Sequence, residues 1–501
     1  MKRVFCLAAA ALVALSGLTG TAARACTNIL VSKGASKDGS AIITYACDGR
    51  FLGRLQRRDA ADHPPGTMIP LYSWGGKVRG EIPQVAHTYA VVGLMNEHQL
   101  AISETTTTGR EELVNPDGLL HYFNLMEFAL ERAKTAREAI DVMVSLAAEH
   151  GYMSTAESFS IADPNEVWLM EMIGKGPGRK GTIWVAMRLP EGTISAYANG
   201  MRIRELPPAD PDRVRYAPDV VSFAIEKGYY DPASGKPFDF TEAYDAPTVQ
   251  SRRYTATREW SIFRRAAPSQ ADSFDPAYHR GEAGGRPYPL WIRPDEKLSV
   301  ADVMALMRDH YEGTEYDMTT GLDAGPYGTP NRWRPIAWEV DGQKYSWERP
   351  ISTPQTGFSF VSQSRSWLPD AIGGVYWYAV DDTWTNCYVP FYAGIDRLPR
   401  AWTLGALDRF SWDSAWWVFN LVANFANLKF SVMAPEIRAV QQELEGKFMA
   451  LQPAVEKVAA ELWTTDPALA RRFLTDYSVS RGEEVVRRWR ELAETLFTRH
   501  N

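Results

Sequence analysis

An α+β chain, with antiparallel sheets packed against helices, is the fold class the sequence predicts, and three observations predict it. Short apolar runs bounded by turn residues fill most of residues 26–203, one helical stretch interrupts them, and amphipathic helical patterns take over after Trp412. In chain order, strands are expected over 27–32 and 41–46, joined by a turn through Lys37-Asp38-Gly39-Ser40. Further strands are expected over 84–94 and 100–105, with Asn96-Glu97-His98 as the turn between them. A helical stretch over 122–149 should break near Lys134-Thr135, where Thr135 and Glu138 have capping-box spacing. Strands follow over 158–162, 167–173, 182–189 and 193–198. Residues 207–294, rich in Pro, Asp, Tyr and Arg, read as irregular covering structure with one helix over 219–226. Beyond it lie a helix over 300–310, aromatic-rich strands over 357–362, 374–380 and 387–392, and amphipathic helices over 436–462 and 483–498.

Composition excludes several classes. With 45% hydrophobic and 23% charged residues among 501, the chain can bury a sizeable core and lacks the bias of a disordered protein. Its 54 basic against 61 acidic residues give a net charge of −7, the wrong sign for clamping nucleic acid through phosphates. Lys2 and Arg3 precede an apolar run over 4–18 and then Ala23-Arg24-Ala25, the pattern of a signal peptide cut after Ala25 by signal peptidase. Residues 1–25 are therefore expected to be removed on export to the periplasm or the exterior, leaving a mature chain with no stable membrane insertion. Arg24 and Ala23 fit a lipid-attachment signal badly, although Cys26 follows the cut. Loss of Lys2, Arg3 and Arg24 takes the charge from −7 to −10. It also leaves Cys26, Cys47 and Cys387, an odd number in an oxidising compartment, which singles out one thiol.

Familiar motifs are weak here. Gly176-Pro177-Gly178-Arg179-Lys180-Gly181 matches a dinucleotide fingerprint in form, but a strand pattern follows where a helix is needed, so a hairpin turn is expected. No H-E-x-x-H, C-x-x-C or G-x-S-x-G is present, so neither a metal nor a cofactor is expected. The tryptophans between Trp367 and Trp417 read as packing. What remains is Cys26. A cysteine exposed by processing carries its own α-amine, whose reference pKa of about 7.7–8.0 suits a general base near neutrality, so nucleophile and base share one residue. The alternatives are that Cys26 stands at the cut by chance or pairs with Cys47. Cys47 itself is expected as a buried free thiol, or bridged to Cys387.

Ala25-Cys26-Thr27-Asn28-Ile29-Leu30-Val31 followed by Lys33-Gly34-Ala35-Ser36-Lys37-Asp38-Gly39-Ser40 resembles the opening of bacterial cysteine dipeptidases of dipeptidase A type. Further matching blocks begin at Met95, Glu157, Val167 and Ala198. These enzymes are N-terminal-nucleophile hydrolases, with penicillin V acylase and bile salt hydrolases as cousins. The resemblance implies an αββα sandwich with additional C-terminal helices: residues 26–410 as the hydrolase domain, including the irregular insertion at 207–294, and 411–501 as helices packed on it. It implies that Cys26 attacks a peptide carbonyl, Asp48 orients the terminal amine, Asn199 helps hold the oxyanion, and Arg258 completes the site. As plain residues, Asp48 and Asn199 could be turn formers and Arg258 a surface charge. Glu104 and Glu157 are the carboxylates available for the ammonium of a short peptide substrate. Tyr45 stands where many relatives carry an arginine, with Arg50 the nearest cationic substitute, and Thr106 stands where the acylases have a second asparagine. An N-acyl amidase and a non-catalytic periplasmic binding protein on the same scaffold are the competing functions.

Overall fold

The computed structural model describes residues 25–73, 76–331, 337–346 and 348–501, so the expected signal segment lies outside the described residues apart from Ala25. The chain opens on β1 (Ala25–Val31) and β2 (Ile42–Asp48), joined through Gly39, whose φ of +79° suits the turn. Short strands β3 (Arg57–Arg58), β4 (Val91–Val92) and β5 (Met95–Asn96) lead into β6 (Ala101–Thr106). Helices α1 (Tyr122–Arg132) and α2 (Ala136–His150) break where expected. Thr135 accepts from Glu138 N, while the Glu138 carboxylate takes Lys134 N rather than Thr135 N. Next come β7 (Glu157–Ala162), β8 (Val167–Gly174), β9 (Thr182–Arg188), β10 (Ile194–Tyr197) and β11 (Val214–Tyr216). Gly174 pairs with Thr182, so the glycine motif between them is a hairpin turn. After helix α3 (Val249–Ala266) come β12 (Thr356–Gln363), β13 (Val375–Val380) and β14 (Val389–Tyr392), then α4 (Ala415–Ala426), α5 (Phe430–Thr465) and α6 (Pro467–His500).

Two large antiparallel sheets result. One runs β10-β1-β2-β12-β13-β14 and the other β11-β9-β8-β7-β6-β5-β4-β3. They pack through β1 and β2 on β6 and β7. Helix α2 lies against β7 and β9, α3 against β10, and α4 to α6 against β13 and β14. Both faces of the central strands are thus covered, and every residue of β8 is buried. This explains why strands such as Val167–Gly174 read as continuous apolar runs rather than alternating ones. Buried bidentate pairs, Arg308 with Glu445 and Arg365 with Glu456, fasten α5 to the sheet side.

Two expectations are corrected. The stretch over 84–94 is not one strand but splits, His87–Thr88 pairing outside the large sheets and Val91–Val92 within the second. Residues 207–294 contain the 18-residue helix α3 as well as the expected helix Val220–Glu226. Its buried face includes Thr255, Thr257, Arg258, Glu259 and Ser261, so no apolar stripe announces it.

Candidate active site

Cys26, the second residue of β1, stands directly opposite Cys47 of β2. Opposed residues of an antiparallel pair project to the same face, and alternation along β2 puts Tyr45 there too. That face meets β6. Cys26 Sγ consequently lies 3.7 Å from Glu104 Oε1 and 3.9 Å from the Tyr45 hydroxyl. The Tyr45 hydroxyl donates a short hydrogen bond to the same carboxylate oxygen, and Thr106 Oγ1 donates to Glu104 Oε2 at 3.3 Å. Glu157, opposite Thr106 on β7, interacts with Glu104, so two wholly buried carboxyl groups share one corner of the site. Burial, then the Cys47 thiol and the Glu104 charge, hold the Cys26 thiol well above its ordinary value. Burial also raises Glu104, against hydrogen bonds from Glu157, Tyr45 and Thr106.

The backbone of Cys26 is held by different groups. Its N–H donates to Asn199 Oδ1 at 2.9 Å. Asn199 follows β10 with φ +68°, a left-handed conformation that asparagine adopts more readily than most residues. Its Nδ2 donates to Thr106 O at 2.7 Å, linking the ends of β10 and β6 across the two sheets. Arg258 of α3, fully buried, donates to Cys26 O (2.8 Å), Thr27 Oγ1 (3.0 Å), Ala198 O (2.8 Å) and Asn199 Oδ1 (3.0 Å). Burial and the neighbouring Arg349 charge push its guanidinium down to about 10. Asp245 fastens the flanking loops: it accepts from Met201 N (3.0 Å), Thr108 Oγ1 (2.7 Å) and Gly109 N (2.7 Å).

The structure therefore brings Cys26, Glu104, Glu157, Asn199 and Arg258 into one network. Asp48 lies on the other face of β2 from Cys47, and its charge still acts on the Cys26 thiol. Asp48 sits opposite Ala25, and its carboxylate accepts from Thr356 Oγ1 at 2.6 Å and from Arg349. Burial raises Asp48, opposed by Arg349, Thr356 and Arg258. The guanidinium beside Asp48 is thus Arg349, whereas Arg50 is exposed. Sequence reasoning missed Arg349 and Thr356 altogether. It marked Tyr45 only as a departure, although its hydroxyl reaches both the sulfur and Glu104. Among the described residues no group of His, Cys, Asp and Glu is arranged to hold a metal ion, and no helix is long and apolar enough to cross a membrane.

A thiol with a carboxyl and a phenol at its sulfur, and with separate anchors for its own nitrogen and carbonyl, is equipped for covalent attack, and the class defined is a cysteine-type hydrolase. Residues 69–443 match the family model of peptidase family C69, and the chain belongs to that family. The match begins after Cys26. A "Probable dipeptidase" of Salmonella dublin is 29% identical over 397 residues, covering 74% of this chain and 81% of the relative. The "Dipeptidase" of Bifidobacterium longum is 24% identical over 481 residues, covering 88% and 84%. "Dipeptidase A" of Lactobacillus helveticus is 23% identical over 465 residues, covering 87% and 89%.

Proposed function

We propose that this peptidase is an exported N-terminal-nucleophile dipeptidase, matured by signal peptidase cleavage after Ala25. The observation that carries the reading is the division of labour around Cys26: Glu104 and Tyr45 face the sulfur, and Asn199 faces the nitrogen. Ala25 precedes that nitrogen in β1, so here it is a peptide N–H. Once freed it is an amine that takes the thiol proton. The thiolate then attacks the scissile carbonyl, and Asn199, which already touches Cys26 N, is placed to help hold the oxyanion. Collapse expels the amine half with the proton, and water hydrolyses the thioester. The two antiparallel sheets with flanking helices support placing residues 26–410 among αββα N-terminal-nucleophile hydrolases, with penicillin V acylase and bile salt hydrolases as cousins and 411–501 as a helical cover.

The substrate class rests on the relatives' names and on Glu104 with Glu157. A buried carboxyl pair beside the nucleophile suits the ammonium of a free dipeptide. Asp48, held by Arg349, serves in this reading to position the strand end opposite the cut. The test is incubation of chain beginning at Cys26 with free and N-acetylated dipeptides. Cleavage of the free dipeptides alone is expected; cleavage of the acetylated ones alone would establish an N-acyl amidase, and of neither a binding protein.

A further inference from the structure

The register places two thiols directly across a strand pair, and one of them is the nucleophile. Cys26, Cys47 and Cys387 are all unbridged, and the cysteine that Cys47 faces is Cys26, not Cys387. We propose that Cys47 is a resolving thiol: when an oxidant attacks Cys26, Cys47 closes a cross-strand disulfide that silences the enzyme reversibly and shields the nucleophile from irreversible oxidation.

Geometry permits the bond. Opposed residues of an antiparallel pair have Cα atoms about 4.5 or 5.5 Å apart, and both spacings fall inside the roughly 4.4–6.8 Å range of disulfides. Both side chains project from the same face, so neither strand has to turn over. Accessibility is divided in a useful way. Cys26 is 3% exposed, whereas Cys47 is half-buried, so Cys47 is the more accessible of the two thiols. Cys387 is wholly buried and lies outside this pair. A resolving cysteine beside a reactive one is the arrangement that keeps oxidation on the reversible part of the ladder.

The steps balance with a hydroperoxide as oxidant. The Cys26 sulfur takes the terminal oxygen of the hydroperoxide, giving a sulfenic acid and the corresponding alcohol, or water from hydrogen peroxide. The Cys47 thiol then attacks that sulfur, the S–O bond breaks, the S–S bond forms, and water leaves with the thiol proton. A dithiol reductant restores both thiols. Without Cys47 the sulfenic acid persists and a second equivalent of peroxide takes it to sulfinic acid.

The mature chain beginning at Cys26 is treated with hydrogen peroxide, mapped as peptides without reduction, and assayed before and after dithiothreitol. A Cys26–Cys47 cross-linked peptide is expected, with activity lost as it accumulates and regained on reduction. Cys47→Ser, measured against its own untreated rate, should recover at least ~10-fold less activity after the same treatment, with sulfinic acid at Cys26. Cys47→Ala gives the same reading if the serine variant folds poorly. Full recovery by both variants, or sulfinic acid at Cys26 in wild type without any cross-link, overturns the proposal. A cross-link that forms while activity persists overturns instead the nucleophile assignment on which the silencing depends, so the two failures are distinguishable.

Discussion

Cleavage after Ala25 should do more than expose a base; it should change the charge felt by the sulfur. In the uncut chain Cys26 N is an uncharged amide, and Glu104 Oε1 lies 3.7 Å from Sγ. An ionised carboxylate at that distance opposes a thiolate by about 4 kcal/mol at an effective dielectric of 20. A new ammonium on the same residue, about as far from the sulfur, contributes a similar amount with the opposite sign. Since ~1.4 kcal/mol is tenfold, the thiolate fraction at neutral pH should rise by roughly 10³ on cutting. The sign follows from the structure: burial and negative neighbours raise the thiol, so the uncut form is protonated at neutral pH, and a cation lowers it. The assay is the pH dependence of iodoacetamide alkylation at Cys26, followed by peptide mapping, for chain beginning at Cys26 and for chain retaining Ala25. The cut form should react far faster at pH 7, and its turnover should fall in proportion to labelling. Equal alkylation rates in both forms, or full turnover by the form retaining Ala25, would refute the electrostatic account of maturation.

Asn199→Ala should lower kcat by ~10²–10³ with KM little changed, read from steady-state dipeptide hydrolysis, because the donor acts on the oxyanion rather than on the bound substrate. Arg258→Met should cost about 3–5 kcal/mol in urea unfolding, since it strips a buried guanidinium from four acceptors around Cys26 and Asn199; a change under 1 kcal/mol would contradict that role. Glu104→Gln should raise KM for free dipeptides by about tenfold or more, as expected for losing a charged partner of the ammonium. Glu171, which accepts from Tyr197, Arg202 N and Ile203 N, is pushed up to about 8 by burial despite those bonds. Its folded value lies above its unfolded one, so folding favours the protonated acid. That stability is fully present near pH 4 and is lost as pH rises through about 8, a slope that Glu171→Gln should flatten in unfolding titrations.

How much of the site was legible in the sequence depends on whether a residue's role is set locally or by long-range pairing. Cys26 is legible because its proposed role follows from covalent position: a cut before it would create the amine. Strands β1, β2, β6, β7 and β8 are legible because covered sheets make strong apolar runs between turn signals. Glu104 stands out only by chemistry, a carboxylate inside one of those runs, and the sequence alone gives no reason for its burial. Arg258 came from resemblance, since α3 hides a polar face against the back of β1 and shows no helical stripe. Arg349 carries no local signal at all. It meets Asp48 across 301 residues of chain, and no period or spacing relates the two. Tyr45 shows the physical consequence. With a phenol rather than a cation at that position, the thiol side of β2 keeps an uncharged donor for Glu104, while the positive charge stands behind the strand, on Asp48. Tyr45 and Glu104 thus meet the sulfur on one face of β2, while Arg349 pairs with Asp48 on the other. Burial first, then the neighbouring thiol and carboxylates, keep the Cys26 thiol of the uncut chain protonated, and under the proposed maturation a new ammonium would act against them.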